Sequence, residues 1–179
     1  MKTTSLILAC TIAIAGSQVF AKSSTPKVSK DKAQAAALQA VPGELVGWSL
    51  AAEDDGPVYS FDIKLPDGRV KEIEIDGTTG KKNEEAIELE VHGNGVDRKS
   101  TNAADLAKLT GAKVSKDKAE ATALKAYSGK VDQWEAELEN GHVQYEFLIS
   151  GKAGKKIIEV SGKTGTITET SRFVDGTAI

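Results

Sequence analysis

Few side chains in this sequence have the type and spacing to do chemistry. There are two histidines, His92 and His142. Neither has a second histidine at a metal-binding spacing such as H-x-H or H-E-x-x-H. No G-x-S-x-G segment presents a serine nucleophile on a strand-to-helix turn. Gly162-Lys163-Thr164 matches the end of a phosphate-binding loop, but the position of its first glycine is held by Ile157. The single cysteine, Cys10, has no partner for a disulfide or a thiolate metal site. Two acidic turns, Glu53-Asp54-Asp55-Gly56 and Asp67-Gly68, offer hard oxygen donors. They lack the spaced ligands and closing glutamate of an EF-hand loop. These residues predict no catalytic group, no cofactor-binding group and no metal site; they read as hairpin turns and solvated loops.

The aromatic residues carry a second kind of chemistry, recognition. Trp48 and Trp134, Tyr59 and Tyr145, and Phe61 and Phe147 recur at one spacing. The phenylalanines and tryptophans read as core. The tyrosines share strand parity with the phenylalanines, which places each hydroxyl near the edge of the same face. Buried aromatics fill cores, and exposed ones anchor interfaces. Tyr59, Tyr145, Trp48 and Trp134 are therefore the candidate partner-contact residues.

The elements that hold these aromatics occur twice. KVSKDKA stands at 27–33 and again at 113–119, an offset of 86. The same offset relates Leu38 to Leu124, Gly43 to Gly129 and Ile63 to Ile149. After one deletion near Val70 it becomes 85, relating Ile73, Ile75, Gly77 and Gly80 to Ile158, Val160, Gly162 and Gly165. Such self-similarity marks a duplicated unit. Each unit opens with a serine in an N-cap position, Ser29 or Ser115, and an Ala-rich helix over 30–41 or 116–127. Pro42-Gly43 and Ser128-Gly129 stop the helices. Alternating strands follow, separated by turns such as Asp76-Gly77-Thr78-Thr79-Gly80 and Ser161-Gly162-Lys163-Thr164-Gly165. The pattern predicts an α+β fold of two tandem units, each a helix on an antiparallel meander. One sheet face is apolar and holds the helix; the other is expected to be polar and wet. Residues 83–112 read as a structured connection with a strand around Ile87, Leu89 and Val91 and a short helix capped by Asn102. Residues 171–179 read as a mobile tail.

Residues 1–21 have the pattern of a secretory signal peptide, with Lys2, a short apolar run from Leu6 to Ala15, and small residues before a cleavage point after Ala21. The apolar run is too short to span a membrane. No later segment approaches a span. The formal charge is −3, with Lys+Arg 23 against Asp+Glu 26. Without residues 1–21, which hold one lysine and no acid, it is −4. That balance gives no electrostatic basis for a nucleic-acid partner.

The helix, the Val41-Pro42-Gly43 stop, the Trp48 strand, the Tyr59-x-Phe61-x-Ile63 strand and the Ile75-Asp76-Gly77-Thr78-Thr79-Gly80 turn together resemble the PepSY domain. That family is named for the propeptides of thermolysin-like metallopeptidases and a spore germination protein. The resemblance covers about 27–82 and, with Ser128 and Ser161 replacing a proline and an aspartate, about 113–168. It implies a helix packed on an antiparallel sheet. It also implies a non-catalytic, exported module, periplasmic or secreted, that binds another protein such as a peptidase and restrains it. The domain scheme is then a signal peptide at 1–21, units at 22–82 and 113–170, the connection at 83–112 and the tail. The open sheet and its edges are the expected docking surface, although charges such as Lys71, Glu72 and Glu74 blunt those edges. The alternative is an envelope protein that binds or senses a ligand or metal through its acidic turns.

Overall fold

Strand alternation and two Ala-rich helices generate a single closed sheet with helices on its outside. The protein is represented by a computed structural model describing residues 25–177; the signal-peptide expectation for 1–21 lies outside the described residues. The elements are α1 (Lys30–Ala40), β1 (Glu44–Glu53), β2 (Gly56–Lys64), β3 (Val70–Asp76), β4 (Lys82–Gly93), β5 (Val96–Lys99), α2 (Ala103–Thr110), α3 (Lys116–Ala126), β6 (Gly129–Glu139), β7 (His142–Gly151), β8 (Gly154–Ser161) and β9 (Ile167–Gly176). Among the described residues no helix is long and apolar enough to cross a membrane.

Each repeat therefore contributes a helix and four strands. The strands are ordered β3-β2-β1-β9-β8-β7-β6-β4-β5, and β3 also pairs with β4. The sheet thus closes into an eight-stranded ring, with β5 attached to the outer length of β4. The closure is reciprocal: the last strand of unit one pairs with the first of unit two (β4–β6), and the last of unit two pairs with the first of unit one (β9–β1). The segment expected to be a mobile tail is this closing strand up to Gly176. Backbone donors and acceptors on β8 and β1 that a two-domain arrangement would leave unpaired are satisfied by β9.

The two helices pack on the outer face of the ring. Ala33 and Ala37 of α1, and Ala119 and Ala123 of α3, are fully buried, and their small side chains let each helix approach its sheet. Beneath α1 lie Tyr59, Phe61, Ile63, Ile73 and Ile75. Beneath α3 lie Tyr145, Phe147, Ile149, Ile158 and Val160, joined by Leu89. Ser29 and Ser115 occupy the N-cap positions with extended backbone, but their side chains make no capping hydrogen bond. Asn102 does cap α2, its side-chain oxygen accepting from the N–H groups of Ala104 and Asp105.

The glycine turns tie helix to sheet identically in both units. Gly77 N–H donates to Pro57 O at 2.7 Å and Gly162 N–H to Val143 O at 2.8 Å. Their carbonyls accept from Val28 N at 2.8 Å and Val114 N at 2.9 Å. The serine that replaces aspartate in unit two keeps the turn. Asp76 Oδ1 accepts from the N–H groups of Thr78 and Thr79 at 2.7 and 2.8 Å. Ser161 Oγ accepts from the matching Lys163 and Thr164 at 3.3 and 3.4 Å.

Candidate functional site

Strand parity sends one set of apolar positions in each strand outward to the helices, so the alternate positions point into the ring. Those positions are largely acidic: Asp62, Glu72, Glu74, Glu88, Glu135, Glu137, Glu146 and Glu159. The polar face is therefore not wet as expected, because ring closure turns the two polar faces toward each other. Glu135, Glu137 and Glu72 are 2%, 6% and 7% exposed. One end of the interior is filled by Ala51, Leu148 and Ile157, with Phe173 against them.

The acids are stacked as cross-strand neighbours. Asp62 stands opposite Glu72, and Glu88 opposite Glu137. Glu135, Glu146, Glu159 and Glu169 run level across β6, β7, β8 and β9. Like charges in direct opposition destabilise a sheet unless something neutralises them. Arg98 of β5 neutralises one corner, bonding Asp62 at 2.7 Å and Glu88 through both carboxylate oxygens. Among the described residues, Glu72, Glu135, Glu137 and Glu146 have no lysine or arginine within salt-bridge distance.

Carboxyl oxygens of Glu72, Glu135 and Glu137 lie within 4.8 Å of one another. Oε2 of Glu135 and Oε2 of Glu137 are buried without a hydrogen-bond partner, as is Oε1 of Gln144, the residue directly opposite Glu137. Burial, reinforced by Asp62, pushes the Glu72 carboxyl up to about 8. Burial and the charge of Glu72 raise Glu135, Glu137 and Glu146 well above the usual carboxylate range. Burial holds Glu159 at about 7. Asp62, raised by burial and pulled back by Arg98, sits at about 6. At the rim, a hydrogen bond with Glu139 and then burial lift Glu84 to about 8, while the same bond lowers Glu139.

The candidates named from sequence lie on the outside. Tyr59 and Tyr145 are buried beneath the helices and donate their hydroxyls to Val28 O at 3.2 Å and Val114 O at 3.0 Å. They pin the segment before each helix to the sheet. Trp48 and Trp134 are half-buried. Lys30 Nζ lies 4.4 Å from the Trp48 ring centre, and Lys116 Nζ lies 5.6 Å from that of Trp134. The four residues form two equivalent pairs, one per unit, not one site. Trp134 also borders a groove of about 360 Å³ with Leu109, Ala112 and Lys116. His92 lies between Glu90 and Asp97, at 3.0 and 2.8 Å, and His142 begins β7. Asp67 is engaged by Arg69 at 2.7 Å. Glu53, Asp54 and Glu169 line a recess of about 250 Å³.

The interior carboxylates were individually visible in the sequence as the polar half of each alternation. The available signal was their shared sign: Glu72 and Glu74 of β3, Glu135 and Glu137 of β6 and Glu159 of β8 alternate with the apolar Ile73, Ala136 and Ile158 of the opposite face.

The family model for the peptidase propeptide and YPEB domain matches residues 27–82 and 113–170. A solved structure from Clostridium difficile 630, assigned as a lipoprotein, aligns over 82% of this chain and 93% of its own, at 19% identity and a TM-score of 0.35. No curated protein matches the sequence.

Proposed function

The chain belongs to the PepSY family, and on that premise we propose that it is a non-enzymatic exported module that binds an extracytoplasmic peptidase and restrains it. The observation that carries this reading is the presence of two copies of a domain named for peptidase propeptides, together covering most of the described chain. Export rests on the pattern of residues 1–21. With the polar sheet face enclosed, the surface left for a partner is the outside of the ring. There the half-exposed Trp48 and Trp134, each beneath a lysine, offer the aromatic anchors that interfaces use. Binding would be steric, a rigid convex surface occupying a cleft.

The test is inhibition. The purified protein is titrated into thermolysin-like metallopeptidases from the same envelope, and peptide hydrolysis is followed. Saturable inhibition that weakens in the Trp48→Ala, Trp134→Ala double variant supports the reading. Undiminished turnover at a large molar excess against every peptidase tried removes it. The alternative, an envelope protein that binds or senses a ligand or metal, draws on the acidic turns at Glu53-Asp54-Asp55 and Asp67 and not on this surface.

A further inference from the structure

We propose that the interior of the ring is a divalent-cation site in which Glu72, Glu135 and Glu137 hold one Ca²⁺. Three observations carry it. First, the three carboxyl oxygens lie within 4.8 Å of one another, about twice the 2.3–2.6 Å of a calcium–oxygen bond. One ion can touch all three without movement of the backbone. Second, Glu135 and Glu137 are more than nine-tenths buried, and each, on the inward parity of β6, carries a buried oxygen without a hydrogen-bond partner. A buried carboxylate oxygen without a partner is costly, and a cation supplies what is missing. Third, Glu72 and Glu137, though not Glu135, border a small void of about 20 Å³, about the room one ion or one water takes.

The donor set selects the metal. It contains carboxylates and, opposite Glu137, the unpartnered amide oxygen of Gln144. It contains no imidazole and no thiolate, which disfavours zinc and copper. Ca²⁺ accepts irregular, all-oxygen shells, including bidentate carboxylates, whereas Mg²⁺ retains several waters that this void has no room for. The approach is also acidic. Glu169 lines both the interior void and the recess that Glu53 and Asp54 border, so the field leads inward for a cation. The site uses none of the outer residues assigned to peptidase binding, so each reading can fail without the other.

The experiment is calorimetric titration of CaCl₂ into the EDTA-stripped protein at neutral pH, repeated with MgCl₂, together with thermal melts. The expected result is one Ca²⁺ per chain and a raised melting midpoint. Glu137→Gln or Glu135→Gln should weaken binding at least about tenfold, since ligand charge sets calcium affinity. Asp67→Asn, in an outer turn, should leave it unchanged. The glutamine variants replace a buried acid by a neutral side chain of the same shape and should fold at least as well without metal; Glu72→Gln serves as a third variant if one of them does not. The proposal is overturned by the absence of heat and of any midpoint shift up to about 10 mM Ca²⁺, beyond the range of extracellular calcium modules. It is equally overturned by binding that survives the Glu135→Gln, Glu137→Gln double variant, or by tighter binding of Mg²⁺ than of Ca²⁺.

Discussion

Glu135 of β6 stands directly opposite Glu146 of β7 inside the ring. The pair continues through Glu159 and Glu169 as a level row across four strands. A row of one sign is neutralised either by protons or by a cation, and the two routes respond to pH in opposite ways.

Without metal, stability should fall as pH rises. Burial and neighbouring acids raise the folded-state values of Glu72 to about 8 from 4.5 and of Glu159 to about 7 from 4.5. The folded protein then binds more protons than the unfolded chain between those limits, so its advantage is complete below about 4.5 and lost as pH rises through about 8. Melts in EDTA from acid to mildly alkaline pH should show a falling midpoint, by about 2–4 °C for each kcal/mol lost. A midpoint that rises over this range would contradict the buried-acid interior.

Removing the closing strand should open the ring. A chain ending at residue 166 lacks β9 and leaves β8 and β1 with unpaired edges. Size-exclusion chromatography should show association or aggregation, and far-UV circular dichroism a broadened, lower-temperature transition. A monomer with unaltered melting would mean the two units fold independently of closure.

The two glycine turns should tolerate no side chain. A Cβ at Gly77 would sit 2.8 Å from Pro57 O, and one at Gly162 would sit 2.7 Å from Val143 O. Gly77→Ala and Gly162→Ala should each cost about 1–3 kcal/mol in denaturant unfolding. Gly141, where nothing lies within 4 Å, has room but a positive φ of 79°, so the penalty of Gly141→Ala should reflect backbone strain alone and be about 1–2 kcal/mol.

The tyrosine hydroxyls should act as equivalent pins. Tyr59→Phe and Tyr145→Phe each strand a carbonyl, Val28 O or Val114 O. Each should destabilise by about 1 kcal/mol, and the two should add, since they belong to separate cores. Peptidase inhibition should be unaffected by either change.

Much of this protein is determined by sequence alone. KVSKDKA at both 27–33 and 113–119 marks the duplication, and the helices and strands fall close to where Ala-rich runs and alternation put them. The reason is locality: helix propensity, turn chemistry and the period-two pattern act within a few residues. The outward placement of Phe61, Ile73, Phe147 and Ile158 was legible for the same reason. The tertiary structure decided what the other face meets. An alternation of apolar and acidic residues is identical whether its acidic side faces water or another acidic sheet. That outcome depends on β4 pairing with β6 and β9 with β1, contacts between residues far apart in the chain that no local rule specifies. Ring closure made the wet face an interior, brought Glu72 within reach of Glu137, and turned the expected tail into the strand that completes the sheet.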